Sequence, residues 1–243
     1  MDQSRASLRV LCECNNAIVD CPTHGNGLTT KILCGLAARR FEFRVGTYHV
    51  TEICTCLRRG YLERKHSHDE TYKGLWIKQR GNALHRQVTH AFRGWKELSV
   101  CMPIALKGEM INLVGHIDAY DPDRSEMTEF KSTRYLKWRQ KTGKLPHEHH
   151  VLQLLAYYTI WTGSYGFPVK SLSVAYMDDE TPPVPYEIEP RDMKDWLATR
   201  TIALHRSVVE DSMPEAEPGP CCIYCWFKDK CASGVQSAST CST

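Results

Sequence analysis

The order of helix and strand patterns along the chain predicts an α/β or α+β core. Two helical stretches precede three strand-like segments, and a helix, two further strands and a long helix follow. Of the 243 residues, 42% are apolar and 24% charged, which suits a chain that buries a sizeable core.

Residues 1–48 are Cys-rich and irregular, with turn signals at Asn15-Asn16, Cys21-Pro22 and His24-Gly25-Asn26-Gly27. From Thr51 to Lys65 the pattern turns helical, with Ile53, Leu57 and Tyr61 on one face. A second helix is expected over Glu70–Phe92, interrupted or joined near Gly81. Leu98–Ala105, Ile111–Tyr120 and Glu126–Lys131 read as a meander connected through Lys107-Gly108 and Asp121-Pro122-Asp123. Lys137–His147 is polar and carries Gly143 and Pro146, and His147–Trp161 then reads as a helix on Val151, Leu154, Leu155 and Tyr158. Leu172–Met177 and Val184–Ile188 are expected strands, and a helix over Arg191–Glu210 ends at the Pro/Gly-rich stretch Pro214–Pro220. The expected division is an extension over 1–48, a core domain over 49–231 and a Ser-rich, disordered tail over 232–243.

Lys plus Arg number 31 against 28 Asp plus Glu, a net charge of +3. That excludes coating of nucleic acid by overall charge and leaves room for a local basic groove. The residues after Met1 lack an apolar signal region, and the apolar stretch Leu152–Trp161 is short and holds Gln153. Neither a secretory leader nor a membrane span is expected, and the predicted location is the cytoplasm. There, 12 cysteines point to metal binding rather than disulfides.

The meander carries the chemistry. In Glu129-x-Lys131 both polar residues point to one face of a strand. Pairing through the Asp121–Ser125 turn brings Asp118 beside them. Two adjacent carboxylates repel unless a divalent cation lies between them, and hard oxygen ligands suit Mg²⁺ or Mn²⁺. The Lys131 ammonium can orient a water attacking a phosphodiester and stabilise the charge that develops. The competing reading is a surface hairpin with an ordinary cross-strand salt bridge. Upstream, Gly81-x-x-x-His85 lies on an apolar helical stretch; downstream, Gln153-x-x-x-Tyr157 puts two polar groups on one helix face.

With these four blocks in order, Gly81/His85, Gly115/Asp118, Glu129/Lys131 and Gln153/Tyr157, the sequence resembles the RecB-like branch of the PD-(D/E)xK nucleases over roughly residues 50–231. The resemblance implies a restriction-endonuclease-like core, a mixed central sheet flanked by helices. It also implies a divalent ion held by His85, Asp118, Glu129 and the main-chain carbonyl of Phe130. Lys131 would be catalytic, with Gln153 and Tyr157 lining the site.

Cys222, Cys225 and Cys231 form C-x2-C-x5-C, one thiolate short of a four-thiolate site, and Cys56 stands upstream before Arg58-Arg59. This resembles the sub-branch that contains the RecB-like CRISPR-associated exonucleases (the fourth protein of the Cas series) and the AddB-type nucleases. Leu57 stands where that family has Pro. The resemblance implies an iron–sulfur cluster on Cys56, Cys222, Cys225 and Cys231 that joins the two ends of the domain, 4Fe–4S in preference to 2Fe–2S. Four thiolates hold either type, and a zinc site is the competing chemistry. Cys54 and Cys221 leave the ligand choice open at both ends. Separately, Cys12, Cys14, Cys21 and His24 have the make-up of a Zn²⁺ site, against the plainer reading of a thiol-bearing arm. Cys34 and Cys101 lie in apolar contexts and are expected to be buried.

Arg58, Arg59, Arg64, Lys65, Arg80, Arg86 and Arg93, then Arg134, Lys137, Arg139, Lys141 and Lys144, are interleaved with Trp76, Phe92, Trp95, Tyr135 and Trp138. Basic and aromatic groups in that mixture suit single-stranded DNA. The function expected is a metal-dependent DNA exonuclease acting on single-stranded ends, with endonuclease activity as an accompaniment. The resemblance further implies processing of new spacer DNA alongside the CRISPR integrase proteins. The alternative is a non-catalytic iron–sulfur DNA-binding or scaffolding protein of a repair or recombination assembly.

Overall fold

The computed structural model describes residues 9–11, 43–66 and 69–231. The chain forms two compact units. The larger comprises Arg44–Thr55 and Gly81–Arg206; the other takes the described residues of Met1–Phe43, Cys56–Arg80 and Ser207–Thr243. Cys12, Cys14, Cys21, His24 and Cys34, and the tail over 232–243, lie outside the described residues.

In chain order the elements are β1 (Arg9–Leu11), β2 (Thr47–His49), α1 (Val50–Ile53), α2 (Leu57–Lys65), β3 (Asp69–Thr71) and α3 (Tyr72–Ala91). The meander follows as β4 (Trp95–Leu106), β5 (Glu109–Asp121) and β6 (Glu126–Ser132). Then come α4 (Leu136–Lys141), α5 (Glu148–Ile160), β7 (Ser171–Met177), β8 (Val184–Ile188) and α6 (Lys194–Val209).

The larger unit is built on a six-stranded mixed sheet organised around β5. β4 pairs antiparallel along β5 through the two-residue turn Lys107-Gly108, whose φ values of 46° and 90° are those of a type I′ hairpin. β5 also pairs parallel with β2 at Asn112–Val114 and antiparallel with β6 at Ala119–Asp121. Beyond β6 lie β7, parallel to it, and β8, antiparallel to β7. The parallel β6–β7 pair needs a crossover, which α4 and α5 supply.

Helices cover the sheet. α5 buries Leu154, Leu155, Ala156 and Ile160. Ala119, Phe130, Ala175 and Met177 form a second apolar layer against Leu84 and Val88 of α3 and the adjoining Phe92. The expected mixed sheet flanked by helices is the fold found, and the three meander strands extend the predicted ones by up to three residues.

The helix expected to run unbroken from Thr51 to Lys65 is two helices, with a break at Cys54–Cys56. Within the larger unit, Arg200 donates from Nε to the Ile53 carbonyl at 2.8 Å and from Nη2 to the Thr55 carbonyl at 2.7 Å. A guanidinium thus satisfies carbonyls left without a helical partner where α1 stops. By contrast, α3 runs straight through Gly81, and the polar stretch after Lys131 contains the short helix α4.

In the other unit, β1 pairs parallel with β3. The start of α2 is tied to the C-terminal segment by Leu57 N–H to Glu217 Oε2 at 2.7 Å and Arg58 Nε to the Pro214 carbonyl at 2.7 Å.

Candidate active site

The hairpin turn fixes the β4–β5 register, and that register sets Glu97 opposite Asp118. The ladder pairs Lys96 with Ala119 and Leu98 with Ile117 but omits the pair between, where Glu97 takes a left-handed φ of 51°. On the β6 side, pairing ends at Ala119–Thr128, one step before Asp118 and Glu129 would meet. Asp118 therefore stands where both ladders open. In place of a ladder bond, the Phe130 N–H donates to Asp118 Oδ2 at 2.8 Å. From α3, His85 brings Nε2 to 3.0 Å from the same oxygen and Nδ1 to 3.8 Å from Glu97 Oε1.

A second set of contacts surrounds Glu129, which is 2% exposed. Its Oε1 accepts from Lys131 Nζ at 2.6 Å and from Gln153 Nε2 at 2.8 Å. Gln153 Oε1 accepts a second proton of the Lys131 ammonium at 3.0 Å, and Gln153 Nε2 also lies 3.0 Å from the Tyr157 hydroxyl. One amide on α5 thus positions carboxylate, ammonium and phenol together. The other carboxylate oxygen, Glu129 Oε2, is buried with no hydrogen-bond partner. A buried carboxylate oxygen left unpaired is costly, and a bound cation relieves that cost.

The electrostatics follow from burial and crowding. Burial pushes the Glu129 carboxyl well above the ordinary carboxylate range, against the pull of Lys131 and with Asp118 adding to the rise. The hydrogen bond to Asp118 lifts the His85 imidazole above its ordinary value, outweighing its partial burial. Burial holds the Tyr157 phenol protonated, with Glu129 reinforcing it.

The two motif glycines sit close to neighbouring side chains. A Cβ at Gly81 would fall 2.6 Å from Ser132 Oγ, a hydroxyl that can rotate away, so α3 passes near β6 here without strict need of a glycine. A Cβ at Gly115 would fall 2.5 Å from the Tyr157 ring, so that glycine seats the tyrosine.

Sequence reasoning brought together His85, Asp118, Glu129, Lys131, Gln153 and Tyr157, and the larger unit places all six in the two linked sets just described. It missed Glu97. Among the described residues, the side chains that bring three metal-ligating atoms within 4.8 Å of one another are His85, Glu97 and Asp118. Counting the register back from the Lys107-Gly108 turn would have found Glu97. Phe92, read as a DNA-facing ring, instead packs edge-on against Phe130 at 6.3 Å. Its apolar ring is worth more in the core layer than in solvent.

Of the cysteines, Cys54 is buried in the larger unit, its thiol pushed up to about 12 by burial, with Arg200, Glu129 and Lys131 as charged neighbours. Cys56, Cys222, Cys225 and Cys231 belong to the other unit and are half-buried, while Cys221 is exposed. Within that unit the Arg58 guanidinium donates to Cys231 Sγ at 3.7 Å, and the Gly219 N–H donates to Cys222 Sγ at 3.4 Å. Cys101, expected to be buried, is half-exposed, and its thiol lies 3.6 Å from Asn112 Oδ1.

On the larger unit, the segment after Lys131 exposes Tyr135 (71%) and Trp138 (51%). Arg134 lies over the Tyr135 ring at 5.9 Å and Lys144 over the Trp138 ring at 4.5 Å. Tyr135 has a left-handed φ of 58°, a conformation uncommon outside glycine. No helix among the described residues is long and apolar enough to cross a membrane.

The model of the PD-(D/E)XK nuclease superfamily matches residues 45–232, more than half of the sequence. The chain belongs to that superfamily. Among solved structures it is similar to SSO0001, with a TM-score of 0.57 and 24% identity over 84% of this chain and 94% of that one. That likeness is one of fold. A phage-related exonuclease from Haemophilus somnus 129PT aligns with a TM-score of 0.36 and 14% identity, over 55% of this chain and 72% of that one. No curated protein sequence matches the chain.

Proposed function

We propose that the chain is a metal-dependent exonuclease acting on single-stranded DNA ends. The observation that carries this reading is the buried Glu129, with Oε1 fixed by Lys131 and Gln153 and Oε2 unpaired. The residues fit a divalent ion on the chemistry of their donors: one imidazole and three carboxylates, two of them buried. His85, Asp118, Glu129 and the Phe130 carbonyl would hold Mn²⁺ or Mg²⁺, and the Glu97 carboxylate gathers with His85 and Asp118 within 4.8 Å, a group that does not include Glu129. When bound, such an ion polarises a phosphodiester and acidifies a water.

The chain's own groups do the rest. Lys131 holds an ammonium beside Glu129, where it can orient the attacking water and offset charge developing on the phosphate. Gln153 fixes that ammonium, and Tyr157 fixes Gln153. The basic and aromatic segment Arg134–Lys144 supplies phosphate contacts and ring faces suited to a single strand.

In the smaller unit, Cys56, Cys222, Cys225 and Cys231 would hold an iron–sulfur cluster, 4Fe–4S in preference to 2Fe–2S. Supporting this, the Arg58 guanidinium already lies against Cys231 Sγ, a position suited to thiolate charge. Cys54 is the weaker candidate, because its buried thiol resists ionisation. The cluster's role would be to staple the two ends of the domain, outside the catalytic set. Preparation of new spacer DNA with the CRISPR integrase rests on the resemblance of the Cys pattern. Zinc at Cys12, Cys14, Cys21 and His24 rests on the sequence alone.

The test is digestion of end-labelled single strands by anaerobically purified protein, with Mn²⁺ or EDTA, alongside Glu129→Gln. Ladder-wise loss of nucleotides with Mn²⁺, absent with EDTA and in the variant, is the expected result. Cleavage that ignores EDTA would sink the metal assignment, and no cleavage under any ion would favour the scaffolding alternative. The visible spectrum and iron content of the same preparation test the cluster.

A further inference from the structure

We infer that Trp95, Tyr165 and Phe167 form a stacking platform for unpaired bases of the strand whose phosphate enters the metal site, an inference that rests on the nuclease reading above. All three rings are large and exposed, at 41%, 43% and 39%, and all belong to the larger unit. They are built together. Phe167 stacks on the buried Trp161 with centroids 4.9 Å apart and planes 19° apart, and Tyr165 stacks on it at 5.3 Å and 30°. Trp95 meets Phe167 edge-on at 5.3 Å and lies tilted by 50° against Tyr120 at 5.6 Å.

The backbone is shaped to assemble them. α5 runs into a π-turn at Trp161–Tyr165 that ends on Gly166, with φ of 72°. Departures of this kind from α geometry gather at functional sites. Two hydrogen bonds then lock the loop: the Cys101 N–H donates to the Tyr165 hydroxyl at 3.1 Å, and the Tyr120 hydroxyl donates to the Pro168 carbonyl at 2.7 Å. A preorganised ring surface of this kind loses little entropy when a ligand lands on it.

Position identifies the occupant. Trp95 pairs with Tyr120, and Glu97 and Asp118 stand opposite each other two residues further along both strands. That is about 7 Å along the ladder, so a nucleotide whose phosphate lies at Asp118 has its base within reach of Trp95. Exposed Arg93 and Lys170, close in sequence to Trp95 and Phe167, add positive charge for the phosphates. Every unpaired base offers a π face to such rings, whereas a duplex keeps its bases inside. The platform therefore selects single strands irrespective of sequence.

The test uses the full chain in Ca²⁺, with a short single strand carrying a fluorescent purine analogue near its end, a matching duplex and an abasic strand. Trp95→Ala and Phe167→Ala should each weaken single-strand binding roughly tenfold and lose the quench of the analogue. Trp95→Phe should keep both, and wild type should bind the abasic strand about as weakly as Trp95→Ala binds the intact one. Equal affinities in wild type and both alanine variants overturn the platform, as does an equal loss on duplex. Unchanged DNA affinity with altered self-association assigns the rings to a second copy of the chain and also overturns it. Because binding is read without turnover, a chain that quenches through Trp95 but never cleaves keeps the platform and sinks the nuclease reading.

Discussion

The main-chain N–H of Phe130 donates to Asp118 Oδ2 at 2.8 Å, where β5 and β6 have ceased to pair. The same oxygen lies 3.0 Å from His85 Nε2. A side chain thus substitutes for a ladder partner, and the opening of the sheet holds the carboxylate in position. Asp118→Asn keeps an oxygen able to accept from Phe130 but removes the charge. Cleavage should fall by at least about a hundredfold, the scale for losing one oriented electrostatic group. Single-strand binding in Ca²⁺ should stay within about twofold on the same scale of reasoning, since phosphate contacts dominate it. A wild-type rate would remove Asp118 from the catalytic set.

Gln153 contacts Glu129, Lys131 and Tyr157 through one amide. In Gln153→Ala the ammonium and the carboxylate keep each other but lose the group that aims them. A ten- to hundredfold fall in kcat is expected, the range for losing a supporting hydrogen bond to a metal ligand. KM for a single strand should be nearly unchanged. A rise in KM with kcat intact would make Gln153 a binding residue instead.

Glu97 stands opposite Asp118 in the β4–β5 register, with Oε1 3.8 Å from His85 Nδ1. Glu97→Gln should raise the Mn²⁺ concentration for half-maximal activity by roughly tenfold or more. The rise in Tm that Mn²⁺ gives the wild type should shrink at the same metal concentration. Identical metal titrations for the two proteins would show that Glu97 only neighbours the ion.

Stability should fall on acidification through His150. Burial, reinforced by Lys131 and the neighbouring His149 and His147, lowers its imidazole to about 2, and Nδ1 lies 2.7 Å from the Tyr176 hydroxyl. The folded state therefore refuses a proton that the unfolded chain accepts below its ordinary pKa of about 6.5. Stability is intact above that pH and is lost as pH falls toward 2, with a slope of up to about 1.4 kcal/mol per pH unit. His150→Asn should flatten the curve of denaturation midpoint against pH between about 6.5 and 4. An unchanged slope would place the acid sensitivity elsewhere.

The side chains of the candidate site were legible because each sits at a spacing that local structure converts directly into geometry. Glu129 and Lys131 alternate on a strand, Gln153 and Tyr157 share a helix face, and the meander brings Asp118 to the main-chain N–H of Phe130, next to Glu129. Glu97 was not legible, because the expected strand began at Leu98, one residue past it, whereas β4 begins at Trp95 and its register carries Glu97 opposite Asp118. Nor was the break after Ile53, which depends on Arg200, 147 residues away in sequence. Phe92 illustrates a third limit: an aromatic among basic residues reads as a nucleic-acid contact until a partner such as Phe130 claims it.

Gly115 and Tyr157 behave as one compound position. With only 2.5 Å between the ring and where a Cβ would sit, neither residue can grow without the other shrinking. An alanine at 115 would tip the ring, drag Gln153 with it and misaim the ammonium of Lys131, a disturbance relayed across three side chains from a residue that touches no ion. A slimmer side chain at 157 would make room for that methyl group but would give up the phenol that holds Gln153, so the pocket constrains both positions at once.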